Sequence, residues 1–172
     1  MDSGPGPRVF VGVDRSIPGL AALRFAVAEA KRRGAPLFAV RVCEHLTMHE
    51  AREIDEAFAE SLGGYPADVV VRREILVGPV AETLTRRARY DTDVLIVGTH
   101  GGGGGNRRRV FGSSSISRDC VRKAHCPVLV VPGPEMAAEL SVGPGERGWQ
   151  LLRGGPFGGV GRELRPVAVA AA

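Results

Sequence analysis

The residues best suited to chemistry lie between two apolar runs, Val94-Leu95-Ile96-Val97 and Val128-Leu129-Val130-Val131. The first run opens into Gly98-Thr99-His100-Gly101 and further glycines to Gly105. Asn106, Arg107, Arg108 and Arg109 follow, and Gly112-Ser113-Ser114-Ser115 then starts a helical pattern. A glycine loop ahead of a helix start presents backbone N–H groups with no side chains in the way, which suits phosphate oxygens. The hydroxyls of Ser113 and Ser114 would add donors. His100 could approach a phosphate and Arg107 to Arg109 could pair with one. A solvated loop explains both equally well or better. The pattern is not a Walker loop, and its glycines follow the fourth strand rather than the first, so it is not a dinucleotide fingerprint.

Asp14 is the second candidate. It ends the apolar run Val9-Phe10-Val11-Gly12-Val13, where its carboxylate could accept from a ligand amino or hydroxyl group. The plainer alternative is an aspartate that caps its own turn. A receiver domain also places an aspartate here, but Gly78 and Pro132 stand where it would need an acceptor acid and a lysine. Cys43, Cys120 and Cys126 have no CxxC spacing and read as small core residues in a reducing compartment. His45 and His49 are four apart with no third ligand near them, which argues against zinc.

The elements that must position these residues follow from periodicity. Strands are expected at residues 9–13, 37–42, 69–77, 94–97 and 127–131. Between them run helical patterns. The first is capped by Ser16, carries Pro18 in its first turn, buries Leu20, Leu23, Val27 and Ala30, and stops at Gly34. The second spans His49 to Leu62, with Ile54, Phe58 and Leu62 inward. The third starts at Gly78-Pro79 and buries Val80, Leu84 and Ala88. The fourth runs from Ser113 to Lys123, with Ile116, Cys120 and Ala124 inward. Strict alternation implies an α/β fold: three layers, α/β/α, around a five-stranded parallel sheet with four helices, a Rossmann-like open sheet. In such sheets ligands bind beyond the carboxyl ends of the strands, where strand order reverses. Asp14, Val42 and Gly98 all fall at such ends.

The 172 residues suffice for one domain and a tail. Aromatics are only 5%, so the core must be aliphatic, as parallel sheets are. From residue 133 on, glycine and proline break every period, and residues 133–172 read as a flexible Gly/Pro/Ala-rich tail. The net charge of +4 does not by itself argue for nucleic acid, which would need more than one arginine cluster. No apolar run is long enough to span a membrane, and no signal peptide is expected, so a cytoplasmic protein is the expectation.

Three segments together resemble the universal stress protein family, a group within the adenine-nucleotide alpha-hydrolase-like α/β domains. They are Val11-Gly12-Val13-Asp14-Arg15-Ser16, the Gly98-Thr99-His100-Gly101 loop with Gly112-Ser113-Ser114-Ser115, and His125-Cys126-Pro127-Val128-Leu129-Val130-Val131-Pro132. The resemblance covers residues 8–132. It implies ATP as the ligand, with or without magnesium. Asp14 and Val42 would meet adenine, while Gly98, His100, Gly101, Gly112, Ser113 and Ser114 would hold ribose and phosphates. It also implies a homodimer through the fifth strand, Val128 to Val131. One departure is visible: ten residues, Gly102 to Phe111, separate two motif glycines where the family's pattern has nine. The expected function is a cytoplasmic, ATP-binding stress-response regulator with the nucleotide as a bound signal and no efficient turnover. The alternative is a family member that binds no nucleotide and acts as an interaction module. An enzyme splitting ATP between its alpha and beta phosphates would need a substrate domain that this chain lacks.

Overall fold

The computed structural model describes residues 6–99 and 115–133 of the chain. The chain-order elements are β1 (Arg8–Gly12), α1 (Ile17–Arg33), β2 (Leu37–Cys43), α2 (Glu50–Leu62) and β3 (Val71–Val77). They continue with α3 (Val80–Arg87), β4 (Asp93–Gly98), α4 (Ile116–Lys123) and β5 (Val128–Val131). The sheet runs β3-β2-β1-β4-β5, and every neighbouring pair is parallel. The chain therefore builds outward from β1 in one direction and then, at β4, in the other. That reversal creates a switch point between β1 and β4.

Each face of the sheet buries one parity of every central strand. Val9 and Val11 of β1, with Leu37 and Ala39 of β2, pack under α1 and α2 around Leu23, Ile54 and Phe58. Phe10, Phe38, Val40, Leu95 and Val97 face α3 and α4, where Leu84, Ala88 and Cys120 meet them. Phe10 and Phe38, paired in register, stack with centroids 4.7 Å apart.

The helix ends follow the local signals. Ser16 caps α1 by accepting from the Gly19 N–H at 3.1 Å, and Pro18 sits in the first turn. Gly34 ends α1 at φ 59°, a conformation that costs glycine little. Lys31, Arg32 and Arg33 occupy the last turn, as the dipole favours.

Two expected boundaries shift, and one expected inward residue is exposed. β3 starts at Val71 rather than Val69, although the Val70 carbonyl still accepts from the Leu37 N–H. Leu62, the last residue of α2, is 40% exposed instead of inward, and it is Tyr65 of the following loop that stacks on Phe58, at 4.3 Å. α4 starts at Ile116 rather than Ser113, with Ser115 as its cap. The expected tail, residues 133–172, lies outside the described residues apart from Gly133. Among the described residues no helix is long and apolar enough to cross a membrane.

Two measurements check this account of the core. Phe58 is wholly buried, so Phe58→Ala should cost about 3–5 kcal/mol in chemical denaturation. Glu29 is the informative buried charge: hydrogen bonding from Arg32, reinforced by Arg33, outweighs burial and lowers its pKa from 4.5 to about 2. A carboxylate held low in the folded state stabilises above its unfolded pKa, and that stability is lost as pH falls through the folded value. Stability should therefore decline between about pH 4.5 and 2, and Glu29→Gln should flatten this part of the acid-unfolding curve.

Candidate functional site

The carboxyl edge of the sheet brings three of the expected site residues onto adjacent strands. Asp14 follows β1, Val42 lies near the end of β2, and Gly98 ends β4. Asp14 and Gly98 flank the switch point from its two sides. His100, Gly101, Gly112, Ser113 and Ser114 lie outside the described residues.

Asp14 is held by its own turn. Its Oδ1 accepts from the Ser16 backbone N–H at 2.9 Å and from the Ser16 hydroxyl at 2.5 Å. Ser16 passes the connection on by capping Gly19. The turn-capping reading of Asp14 is therefore observed for Oδ1, and neither of these bonds uses Oδ2. The first turn of α1 packs tightly against both flanks. A Cβ on Gly19 would lie 1.9 Å from Asp14 Oδ1. A Cβ on Gly98 would lie 2.7 Å from the Pro18 carbonyl carbon and 2.9 Å from the Gly19 nitrogen. Glycine at both positions lets the helix start sit directly on the strand ends.

Beyond β4, the Thr99 N–H donates to the Val131 carbonyl at 3.0 Å. The Thr99 carbonyl accepts from the Ser117 hydroxyl at 3.3 Å, which ties the first turn of α4 to the same edge. Ser115 accepts from the Arg118 N–H at 3.3 Å. The start of α4 is thus placed on the Gly98 side of the switch point.

On the β2 side lies a cleft of about 460 Å³ whose lining includes Asp14, Ser16, Arg41, His49, Glu50 and Glu53. Arg41 donates to Glu50 at 3.1 Å and to the Val13 carbonyl at 3.3 Å. Arg15 gathers acids from α2, bonding Glu56 at 2.6 Å and also Glu60, with Glu53 at 3.9 Å. These two arginines fasten α2 to the β1–α1 connection. Sequence reasoning missed both; the only signal was a charge within the apolar run of β2 and another just after Asp14. Val42 does not line this cleft, because its side chain packs on the α3 and α4 face. Among the described residues no group of three His, Cys, Asp or Glu side chains could hold a metal ion.

Fold and crevice together define an open, doubly wound α/β domain whose candidate ligand site is the switch point at its carboxyl edge. The model of the universal stress protein family matches residues 7–132. The chain belongs to that family, as its three motifs implied. Among curated proteins none matches this chain. Universal stress protein UspA from Lactobacillus plantarum shares 22% identity over 74% of this chain and 99% of its own, with a TM-score of 0.53. A universal stress protein in complex with cAMP shares 23% identity over 73% of this chain and 95% of its own, with a TM-score of 0.55. The universal stress protein from Archaeoglobus fulgidus in complex with dAMP shares 21% identity over 73% of this chain and 97% of its own, with a TM-score of 0.50. At these identities the likeness establishes the fold.

The tight packing of α1 against Gly98 sets a test. Gly98→Ala must push the first turn of α1 away, because the atoms it meets are backbone. Its expected cost is roughly 1–3 kcal/mol, the range for overpacking. A melting temperature equal to that of the unmodified protein would show the approach to be looser than described.

Proposed function

We propose that this chain is an ATP-binding stress-response regulator, cytoplasmic and homodimeric, in which the nucleotide is a bound signal rather than a substrate. The observation that carries this reading is the placement of Asp14 and Gly98 on either side of the switch point, in a chain of the universal stress protein family. Two relatives of this fold are named as complexes with cAMP and dAMP, which supports an adenine nucleotide as the ligand class.

Charge decides the orientation. The β2 side of the crevice carries Asp14, Glu50, Glu53 and Glu60 against Arg15 and Arg41, which pair with acids there. Phosphates would be repelled from that side, whereas an adenine amino group or ribose hydroxyl could donate to Asp14 Oδ2. The phosphates would then lie toward Gly98 and the start of α4, where the glycine-rich sequence between them would offer N–H groups. The residues fit the ligand on this count. ATP, with or without magnesium, would supply only its own charge and shape.

The homodimer rests on the two sheet edges. β3 is one edge and carries Arg72, Arg73 and Glu74. β5 is the other and reads Val128-Leu129-Val130-Val131, with no charge and with Val130 38% exposed. An uncharged apolar edge strand favours a pairing partner, whereas charges along an edge resist it.

The second reading, an interaction module without nucleotide, is favoured by one observation: Asp14 Oδ1 already serves its own turn. Native mass spectrometry and thermal unfolding with and without ATP separate the two. The proposal expects a dimer and an ATP-dependent rise in melting temperature; ligand at a hundred times its Kd adds about 2.7 kcal/mol. Asp14→Asn keeps an Oδ1 acceptor but loses the charge, and should weaken ATP binding roughly tenfold, as loss of one charge-assisted hydrogen bond does. A bare dimer at millimolar ATP would establish the module reading instead.

A further inference from the structure

The opposite, amino edge of the sheet gathers arginines around an aromatic floor. A hollow of about 480 Å³ is lined by Arg8, Arg86, Arg87, Arg89 and Tyr90. Arg8 opens β1, Arg86 and Arg87 end α3, and Arg89 and Tyr90 lead into β4. None of these residues belongs to the crevice beside Asp14.

Two of the guanidinium groups are fixed in place. Arg8 donates through Nε and Nη2 to Asp93, each bond 2.8 Å, and Asp93 is fully buried. Arg87 donates through Nε and Nη2 to Glu74 at 2.7 and 2.6 Å. Both two-point pairs leave the Nη1 donors outside the carboxylate bonds. Both guanidiniums also lie over the same ring, 5.0 and 5.1 Å from the Phe10 centroid. Two guanidiniums are thus held at one aromatic ring, each with donors left over for an added anion.

The other two arginines are loosely held. Arg86 meets Glu82 through one bond of 3.0 Å, an exposed i,i+4 pair of the weak kind. Arg89 lies over Tyr90 at 4.9 Å and donates to its hydroxyl. Among the described residues, four guanidiniums thus line the hollow against three carboxylate partners, Asp93, Glu74 and Glu82.

The geometry points to a second anion site, one that takes a phosphate or diphosphate group of a small molecule at the amino edge of the sheet. Guanidinium forks match phosphate oxygens, and a phosphate has enough acceptors to engage several forks at once. A single carboxylate has fewer, and here the carboxylate role is already filled from within the fold. Arg8 and Arg87 form a preset floor, while Arg86 and Arg89 close on the ligand from the rim. The site does not depend on nucleotide in the crevice.

The test is isothermal titration of the full-length protein with inorganic pyrophosphate, repeated with the crevice presaturated by ATP. Pyrophosphate binding should persist under ATP and fall roughly tenfold or more in the double variant Arg86→Gln/Arg89→Gln. Both side chains are exposed, so the double variant should keep its melting temperature. Arg89→Lys retains the charge without the fork and should fall in between. Comparing pyrophosphate with phosphate esters distinguishes a free inorganic ligand from an organic one. No pyrophosphate binding, binding equal in the double variant, or binding only of a poly-glutamate peptide would each overturn the assignment.

Discussion

The start of α1 is wedged between two strand ends, and the rest of the carboxyl edge depends on that wedge. Gly98 and Gly19 have no room for a Cβ, one against the Pro18 backbone and the other against the Asp14 carboxylate. The helix therefore begins at the switch point rather than above it. Asp14 is aimed by Ser16, Ser16 is aimed by Gly19, and Gly19 is seated by Gly98. This chain of short-range contacts explains how residues far apart in sequence come to share one crevice. It needs no long-range device beyond the parallel pairing of β1 with β4.

The two edges of the sheet are built from different chemistry. The carboxyl edge has closely packed backbone, hydroxyl caps and carboxylates, with Arg15 and Arg41 already committed to acids of α2. The amino edge has guanidiniums over aromatic rings, with buried Asp93 anchoring Arg8 and Glu74 holding Arg87. A parallel sheet makes this separation natural, since every connection crosses from one edge to the other and each edge collects its own set of loops.

Most of the architecture was legible from periodicity. The apolar runs of β1, β2 and β4 are buried on both faces, and such strands announce themselves as near-continuous apolar stretches. The capping of α1 was equally plain, because Ser16, Pro18 and Gly34 act locally. What failed to show was anything decided by tertiary packing. Leu62 continues an apolar stripe, yet Tyr65 took its place beside Phe58. Val69 and Val70 look like strand, yet the β2 partner begins its ladder at Val71. The strand-end placement of Asp14 and Gly98, on either side of the switch point, could be read from the sequence. The arginine bridges to α2 and the hollow at the amino edge could not, since their partners come from elements 9 to 85 residues apart.

The unequal margins of the sheet bear on what size of assembly the chain can reach. A strand order that ends in charged β3 on one side and uncharged β5 on the other offers only one margin suited to backbone pairing. If two copies meet there, the same patch is used on both, and each leaves its charged margin outermost. A third copy would then have to join β3, where Arg72, Arg73 and Glu74 interrupt the apolar residues and disfavour pairing. In such a pair Arg72, Arg73 and Glu74 would act as a terminator, limiting the continuous sheet to ten strands and keeping an apolar margin from seeding a fibre.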